Sequence, residues 1–476
     1  MCSFIGVALL YSNSYVELPF TSKELVQSVT VSAMKQTQTE IQQRLKPLPT
    51  GRQAWRRLVN KNDITTKNSI RMSNESKPAN NKTKPGQLQQ DSVPVKSILA
   101  INKKKEDASQ QAPKVSPFGG DVEGAVGGFY RHGRGAQYNT KNRFLKNEST
   151  REHIEGMDDW EEGNIPTQYI EQQSKTIVNK VESKDVGMGY SMNPYAGCEH
   201  GCIYCSARNV HEYWGYSAGL DFEQKIIVKN NAPQLLRKFL MHPKWDATPI
   251  MLSGNTDCYQ PAEQKYRLTR GLLEVCNEFN QPVGILTKNS WILKDKDVLQ
   301  DMAKKGIVSA MVSITSFNED LRRIMEPRTT TAKQKLKVIN ELSSAGVRMG
   351  VMMGPMIPGL NEHEMQRIMK AAADNGATFT AYTFIRLNGA IKFLFHDWLY
   401  KNFPNHADKV WHLIEQSHDG KVNDTRWGVR MRGEGHFAQM VAQQYKKYGK
   451  LYNMNAEEWS LNTSIFKRPG QQGILF

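Results

Sequence analysis

From about residue 182 onward, short apolar runs and longer amphipathic stretches take turns along this chain. The runs at 189–192, 249–252, 283–287, 308–315, 347–353 and 379–385 are too short for typical helices and predict strands. The stretches at 232–241, 264–279, 296–305, 331–345 and 362–374 repeat apolar residues at helical spacing. Strands separated by helices predict an α/β protein with a parallel sheet. Gly306 and Gly346 stand where a helix has to end before the next strand begins. Glycine or polar clusters follow the strand ends, at 197–201, 254–257, 313–316 and 354–359. They favour a barrel-type face, with the site on loops at the C-terminal ends of the strands. The pattern alone does not separate a full or partial barrel from a doubly wound sheet. Helical periods at 392–402, 407–417 and 436–448 read as a C-terminal cover.

The first 120 residues break this rhythm. Residues 73–117 are rich in Asn, Lys, Gln, Ser and Pro, with few apolar residues and no sustained period, which predicts disorder. A short helix at 41–59 is the exception. The chain therefore divides into a low-complexity, mostly disordered basic tail (1–120), a lead-in segment packing on the core (121–180), a core barrel (181–388) and a C-terminal helical extension (389–476). The apolar opening, Met1 to Leu10, lacks a preceding positive residue and the length of a membrane span. No other stretch approaches the roughly 18 apolar residues a span needs. The expectation is a cytoplasmic protein without membrane contact.

The net charge of +16 changes this picture little once it is located. Residues 1–120 hold 18 Lys and Arg against 8 Asp and Glu, so most of the excess sits in the tail. It is weak ground for a polyanion on the catalytic body. Lys103-Lys-Lys105 reads as a solvated charge run. Six cysteines in 476 residues suggest no disulfide framework, since Cys2, Cys258 and Cys276 are scattered and the other three cluster.

That cluster carries the chemistry. In Asn193-Pro-Tyr-Ala-Gly-Cys-Glu-His-Gly-Cys-Ile-Tyr-Cys205, the thiols of Cys198, Cys202 and Cys205 share one short loop. Thiolates are soft ligands that select zinc or iron–sulfur clusters. Three of them can grip a [4Fe-4S] cube by three irons and leave the fourth open for chemistry. Two alternatives stand beside this. Zinc would take His200 or His211 as fourth ligand, although structural zinc prefers a distant second Cys pair. A passive electron carrier needs a fourth cysteine, for which Cys258 and Cys276 are the candidates.

The cysteine spacing, with Tyr204 just before the last cysteine, resembles the radical S-adenosylmethionine (SAM) superfamily. Ser191-Met-Asn-Pro-Tyr through Cys205, His211-Glu-Tyr, Gly219-Leu-Asp-Phe222, Thr256-Asp-Cys-Tyr-Gln-Pro-Ala-Glu263, Glu326-Pro-Arg328 and Pro355-Met-Ile-Pro-Gly359 resemble its bacterial branch labelled DNA repair photolyase-like. That branch is related to spore photoproduct lyase, and the resemblance covers roughly residues 134–450. It implies a partial (β/α)6 TIM-type barrel holding a [4Fe-4S] cluster and SAM. It also implies a lyase-like or other radical reaction begun by reductive cleavage of SAM, with an electron from flavodoxin or ferredoxin.

Residue by residue, the resemblance assigns Cys198, Cys202 and Cys205 to the metal and Tyr204 to the cofactor. The segment Ser253-Gly-Asn-Thr-Asp257 stands where the superfamily has Gly-Gly-Glu. Gly254, Asn255, Thr256 and Asp257 would then meet the methionine ammonium. Ser313 and Thr315 offer hydroxyls to ribose or carboxylate, and Arg328 a bidentate carboxylate contact. Ile357 and Gly359 stand in the adenine-side motif. Cys258 is the candidate hydrogen-atom donor, as a cysteine is in spore photoproduct lyase. A nucleic-acid substrate would call on Arg386, Lys392, Arg426, Arg430 and Arg432 as a basic rim and on Tyr195 and Tyr259 for base stacking. A peptide or small-molecule substrate is the alternative, and a non-catalytic iron–sulfur electron-transfer or binding protein is the second.

Overall fold

The computed structural model describes residues 131–145, 166–185 and 187–470. The basic tail, its helix at 41–59 and the run at Lys103 lie outside the described residues. The strands are β1 (Gln168–Gln172), β2 (Val178–Lys180), β3 (Tyr190–Met192), β4 (Tyr195–Ala196) and β5 (Lys225–Lys229). They continue as β6 (Ile250–Leu252), β7 (Val283–Thr287), β8 (Val308–Ser313), β9 (Arg348–Met356) and β10 (Phe379–Phe384). Early helices are α1 (Arg208–His211), α2 (Asp221–Gln224), α3 (Ala232–Leu240), α4 (Glu263–Tyr266), α5 (Leu268–Phe279) and α6 (Lys296–Lys304). Later ones are α7 (Glu319–Met325), α8 (Ala332–Ser344), α9 (Met365–Asp374), α10 (Ile391–Asn402), α11 (Ala407–Gln416) and α12 (Gly435–Leu451).

The six predicted strands are β3 and β6 to β10, and they pair in chain order, each parallel to the next. Met192 lies beside Leu252, Leu252 beside Ile285, and Ser313 beside Met352. A doubly wound sheet would reverse its strand order at a switch point. Here the order never reverses, as in a partial TIM-type barrel, and the parallel pairing puts all C-terminal strand ends on one side. The strands are buried on both faces, and every residue of β8 is covered. Between them the helices bury one stripe each, as Ala232, Leu236 and Leu240 do in α3.

Among the described residues the barrel is open by hydrogen bonding: β10 pairs only with β9, and β3 continues to antiparallel β2. A loop closes the gap. Phe384 donates its amide to the Met431 carbonyl at 2.9 Å, tying the loop to β10. Arg430 reaches back to Asp185 and donates to Ser183 Oγ at 2.7 Å, tying it to the β2–β3 hairpin. Gly428 adds an amide bond to Asp185 Oδ1. Residues 428–431 thus clasp the two sheet edges.

The structure corrects several boundaries. The single helix expected at 264–279 is two, because Arg267 adopts a left-handed conformation (φ 53°) between α4 and α5. The Glu263 carboxylate accepts the amides of Thr269 and Arg270 at 3.0 and 3.2 Å, so the new helix start is capped from the preceding turn. Strand β9 runs on to Met356, and Glu362–Glu364 is a 3-10 turn before α9. A three-stranded sheet, β1–β5–β4, is new. Its strands lie outside the barrel repeat, and β5 finds its partner β1 far back in the chain.

Candidate active site

Each strand end contributes to one cavity of about 170 Å³ at the C-terminal face. Its floor is Met251 and Met352, the upper layer of a methionine plug that includes Met188 and Met311. Its walls include Cys198, Cys202, Cys205, His200 and Tyr204 from the cysteine loop. Ser253 to Asp257 follow β6, Thr287 and Lys288 end β7, Ser313 ends β8, and Thr383 to Arg386 end β10.

The cysteine loop is held from behind by a buried ion pair. Arg208 in α1 is fully buried and bonded to Glu223 of α2. The same guanidinium donates to the carbonyls of Cys202 (2.9 Å), Gly201 (3.1 Å), Gly219 (3.0 Å) and Ala218 (3.2 Å). Glu223 in turn accepts the amides of Gly135 and Ala136 at 3.1 and 2.8 Å, so the lead-in segment lies against the loop. Two glycines permit this closeness. A Cβ on Gly135 would sit 1.8 Å from the Gly201 carbonyl oxygen. Gly201 itself takes φ +68°, and a Cβ there would lie 2.8 Å from Glu223.

Burial pushes all three thiols up; Asp257 adds to this at Cys198 and Glu326 at Cys202, while Arg208 pulls back at Cys205. All five described cysteines are free. Among the described residues, no three His, Cys, Asp or Glu side chains gather closely enough for a single ion. His200 is committed on both ring nitrogens, to Asp257 at 3.4 Å and to Asn289 at 3.2 Å. Cys258 and Cys276 lie in the apolar core and do not line the cavity. The donor set is therefore three soft thiols without a fourth, which fits a [4Fe-4S] cluster with one open iron.

Ser253 takes a left-handed backbone (φ 73°) and turns the chain after β6. Its hydroxyl accepts the Cys258 amide at 2.7 Å, and Asn193 accepts the Asn255 amide at 2.9 Å. Asn255 Oδ1 is buried at the cavity without a hydrogen-bond partner, an acceptor held ready for a cationic donor. Asp257 accepts from Thr287 Oγ1 and the Lys288 amide, both at 2.8 Å. Burial alone would raise its carboxyl, but His200 and these donors win and hold it below the usual range.

The sequence reading missed Lys288 and the role of Glu326. The Glu326 carboxylate is fully buried and receives Tyr204, Thr315, Lys288 (3.3 Å) and Lys335 (3.5 Å). Burial opposes its charge, but the two lysines outweigh burial and keep it ionised. Burial likewise works against the Lys288 cation, and Glu326 reverses the sign. A lysine placed directly after a parallel strand was the available signal for Lys288.

Of the predicted site residues, Cys198, Cys202, Cys205, Tyr204, Gly254, Asn255, Thr256, Asp257 and Ser313 share the cavity. Thr315 sits behind it on Glu326. Four others fall elsewhere. Arg328 points to Glu199 (3.7 Å) and the Gly133 carbonyl (3.2 Å). Ile357 is buried in the apolar cluster under α10 and α11. A Cβ on Gly359 would meet Val410 and Leu413 of α11. Cys258 is fully buried beside Tyr259, so it is not placed to donate a hydrogen atom. The stacking candidates are also enclosed: Tyr195 is bonded to Glu263 and Tyr259 to Asp295. Most of the basic rim is engaged within the protein. Arg426 holds Asp424 and Glu434, Arg430 holds Asp185, and Arg432 lies over Tyr382 at 4.4 Å while Lys392 lies over Phe393 at 4.5 Å.

His211, the other zinc candidate, is sealed between Phe222 and Tyr216 with neither ring nitrogen bonded. Burial lowers its pKa to about 4, against the pull of Asp221 and with Lys225 and Arg208 adding to the drop. The unfolded chain takes up this proton below about pH 6.5, whereas the folded one resists until about 4. Stability is therefore full above pH 6.5 and falls by about 3 kcal/mol as pH drops between those values. Urea midpoints at pH 7.5 and 4.5 should show this loss, and His211→Leu should shrink it.

The sequence profile of the radical SAM superfamily matches residues 192–372. An uncharacterized protein of Mycobacterium tuberculosis is 32% identical over 245 residues, covering 51% of this chain and 72% of the relative. An uncharacterized protein of Methanocaldococcus jannaschii is 26% identical, covering 42% of this chain and 72% of its own length. Among solved structures, spore photoproduct lyase complexed with dinucleoside spore photoproduct is 15% identical with a TM-score of 0.45, covering 60% of this chain and 79% of the lyase. The chain belongs to the radical SAM superfamily. It is a radical SAM enzyme, with a [4Fe-4S] cluster and SAM as cofactors and a need for an external reductant. No described helix is long and apolar enough to cross a membrane.

Proposed function

We propose that Cys198, Cys202 and Cys205 hold the cluster, and that the cavity beside them binds SAM and the atom of the substrate that loses hydrogen. The observation that carries this is the triad of thiols, two buried and one half-buried, on a cavity at the C-terminal ends of the barrel strands, with no fourth described cysteine in its wall. When bound, cluster and cofactor together supply one-electron reduction and hydrogen-atom abstraction.

The remaining roles belong to the chain. Asn255 Oδ1 and the turn after β6 offer acceptors to the cofactor's ammonium. Ser313 offers a hydroxyl, and Lys288, held by Glu326, offers a cation to the cofactor's carboxylate. Tyr204, fixed by Glu326, packs between the loop and Lys288. The methionine floor and the clasp at 428–431 keep water from the reacting atoms. In this reading the lead-in segment (121–180) and the C-terminal extension (389–476) support the barrel, the reductant is a flavodoxin or ferredoxin, and the enzyme works in the cytoplasm, where its free thiols stay reduced.

The test is anaerobic reconstitution with iron and sulfide, followed by dithionite and SAM. The expected result is 5′-deoxyadenosine and methionine from protein carrying about four irons per chain. Full iron loading without 5′-deoxyadenosine would overturn the reading.

A further inference from the structure

We propose that Arg386 is the anchor for an oxyanion, a phosphate or a carboxylate, carried by the substrate. This rests on the proposed reading of the cavity as the radical site only in calling the ligand a substrate.

Three side chains with a permanent charge line the cavity: Asp257, Lys288 and Arg386. Two of them are matched by the protein. Asp257 has His200 and a set of donors, and Lys288 has Glu326. Arg386 has no carboxylate within ion-pair distance among the described residues. Its sole hydrogen bond among the described residues is a long one, from Nε to Asn423 Oδ1 at 3.4 Å. The acids that bear on it from nearby, Asp185 and Asp424, are already bound to Arg430 and Arg426. Arg430, on the clasp, repels it.

Burial, with that repulsion, lowers the Arg386 pKa to about 10, so the group stays a cation at neutral pH. A mostly buried guanidinium without a counter-charge is costly to keep. A planar fork facing a cavity accepts an oxyanion in bidentate geometry, which pays that cost. The position fits a substrate group. Arg386 follows β10, at the opposite edge of the parallel sheet from β3, and lies just inside the clasp, next to Met431. The cofactor's own carboxylate has Lys288 nearer the thiols.

The experiment is anaerobic calorimetry on the reconstituted full chain, titrated separately with inorganic phosphate, acetate and S-adenosylhomocysteine. It is repeated on Arg386→Gln and Arg386→Lys, each checked for iron content and melting temperature. Binding of phosphate or acetate should weaken at least tenfold in Arg386→Gln and less in Arg386→Lys, with S-adenosylhomocysteine affinity unchanged. The arm that binds says which oxyanion the substrate carries. The proposal is overturned if wild type binds neither anion, or if Arg386→Gln binds it as wild type does. It is also overturned if S-adenosylhomocysteine loses the affinity instead, which would assign Arg386 to the cofactor. Should Arg386→Gln fail to fold, the same criteria apply to Arg386→Lys, where unchanged anion binding overturns the proposal. Anion binding at Arg386 in a protein that never yields 5′-deoxyadenosine would sink the proposed function and leave this site standing.

Discussion

A Cys202→Ser chain should hold substoichiometric iron after reconstitution and yield no detectable 5′-deoxyadenosine. The Cys202 sulfur is buried at the cavity, with Lys288 nearby to balance a negative charge. A serine oxygen is a hard donor that does not give up its proton readily, so it is a poor ligand for an iron–sulfur cluster. The control is Cys258→Ser, which puts a hydroxyl into the apolar core. It should cost roughly 1–3 kcal/mol of stability and leave the cluster intact. Iron and sulfide content, the visible absorption of the cluster and chromatography of the nucleoside product read both variants. A full cluster in Cys202→Ser, or loss of the cluster in a folded Cys258→Ser, would remove the assignment of the three ligands.

The second large effect concerns residues that touch no cofactor. Arg208→Ala should lower stability by about 3–5 kcal/mol, because it strands the Glu223 carboxylate and leaves four buried carbonyls without their donor. The loop bearing Cys202 and the lead-in at Gly135 both depend on that pair, so cluster retention should fall with it. Combining Arg208→Met with Glu223→Gln should recover part of the loss, since no lone charge then stays buried. Urea unfolding of the two single variants and the double variant measures the coupling. A loss below about 1 kcal/mol in Arg208→Ala would mean that the pair does not hold the loop.

Much of the barrel was legible because its signals are local. Apolar runs at strand length, helical periods between them and glycine stops at Gly306 and Gly346 all act over a few residues. The cysteine loop was legible for the same reason. What failed were assignments that depend on where a backbone points. Arg328 follows Glu326 by two residues, yet Glu326 turns inward to two lysines and Arg328 turns outward to Glu199. Gly359 has the motif's spacing, but α11 occupies the space beside it. The split at Arg267 could not be read from periodicity, since apolar residues continue across it.

The sequence by itself determined the barrel's alternation of strands and helices and the three-thiol loop, since both are written in spacing along the chain, and its resemblance to a known superfamily implied the class of chemistry. The tertiary structure alone decided which charges are free. Lys288 follows β7, Glu326 follows α7 and Lys335 lies in α8, and folding brings Lys288 to the other two across about 40 residues of chain. Arg426, Arg430 and Arg432 look like a basic rim until folding gives Arg426 and Arg430 acidic partners and lays Arg432 on a ring. Arg386 is left without one. Pairing of charges is a property of distance through space, and burial sets its strength; neither is encoded in local pattern.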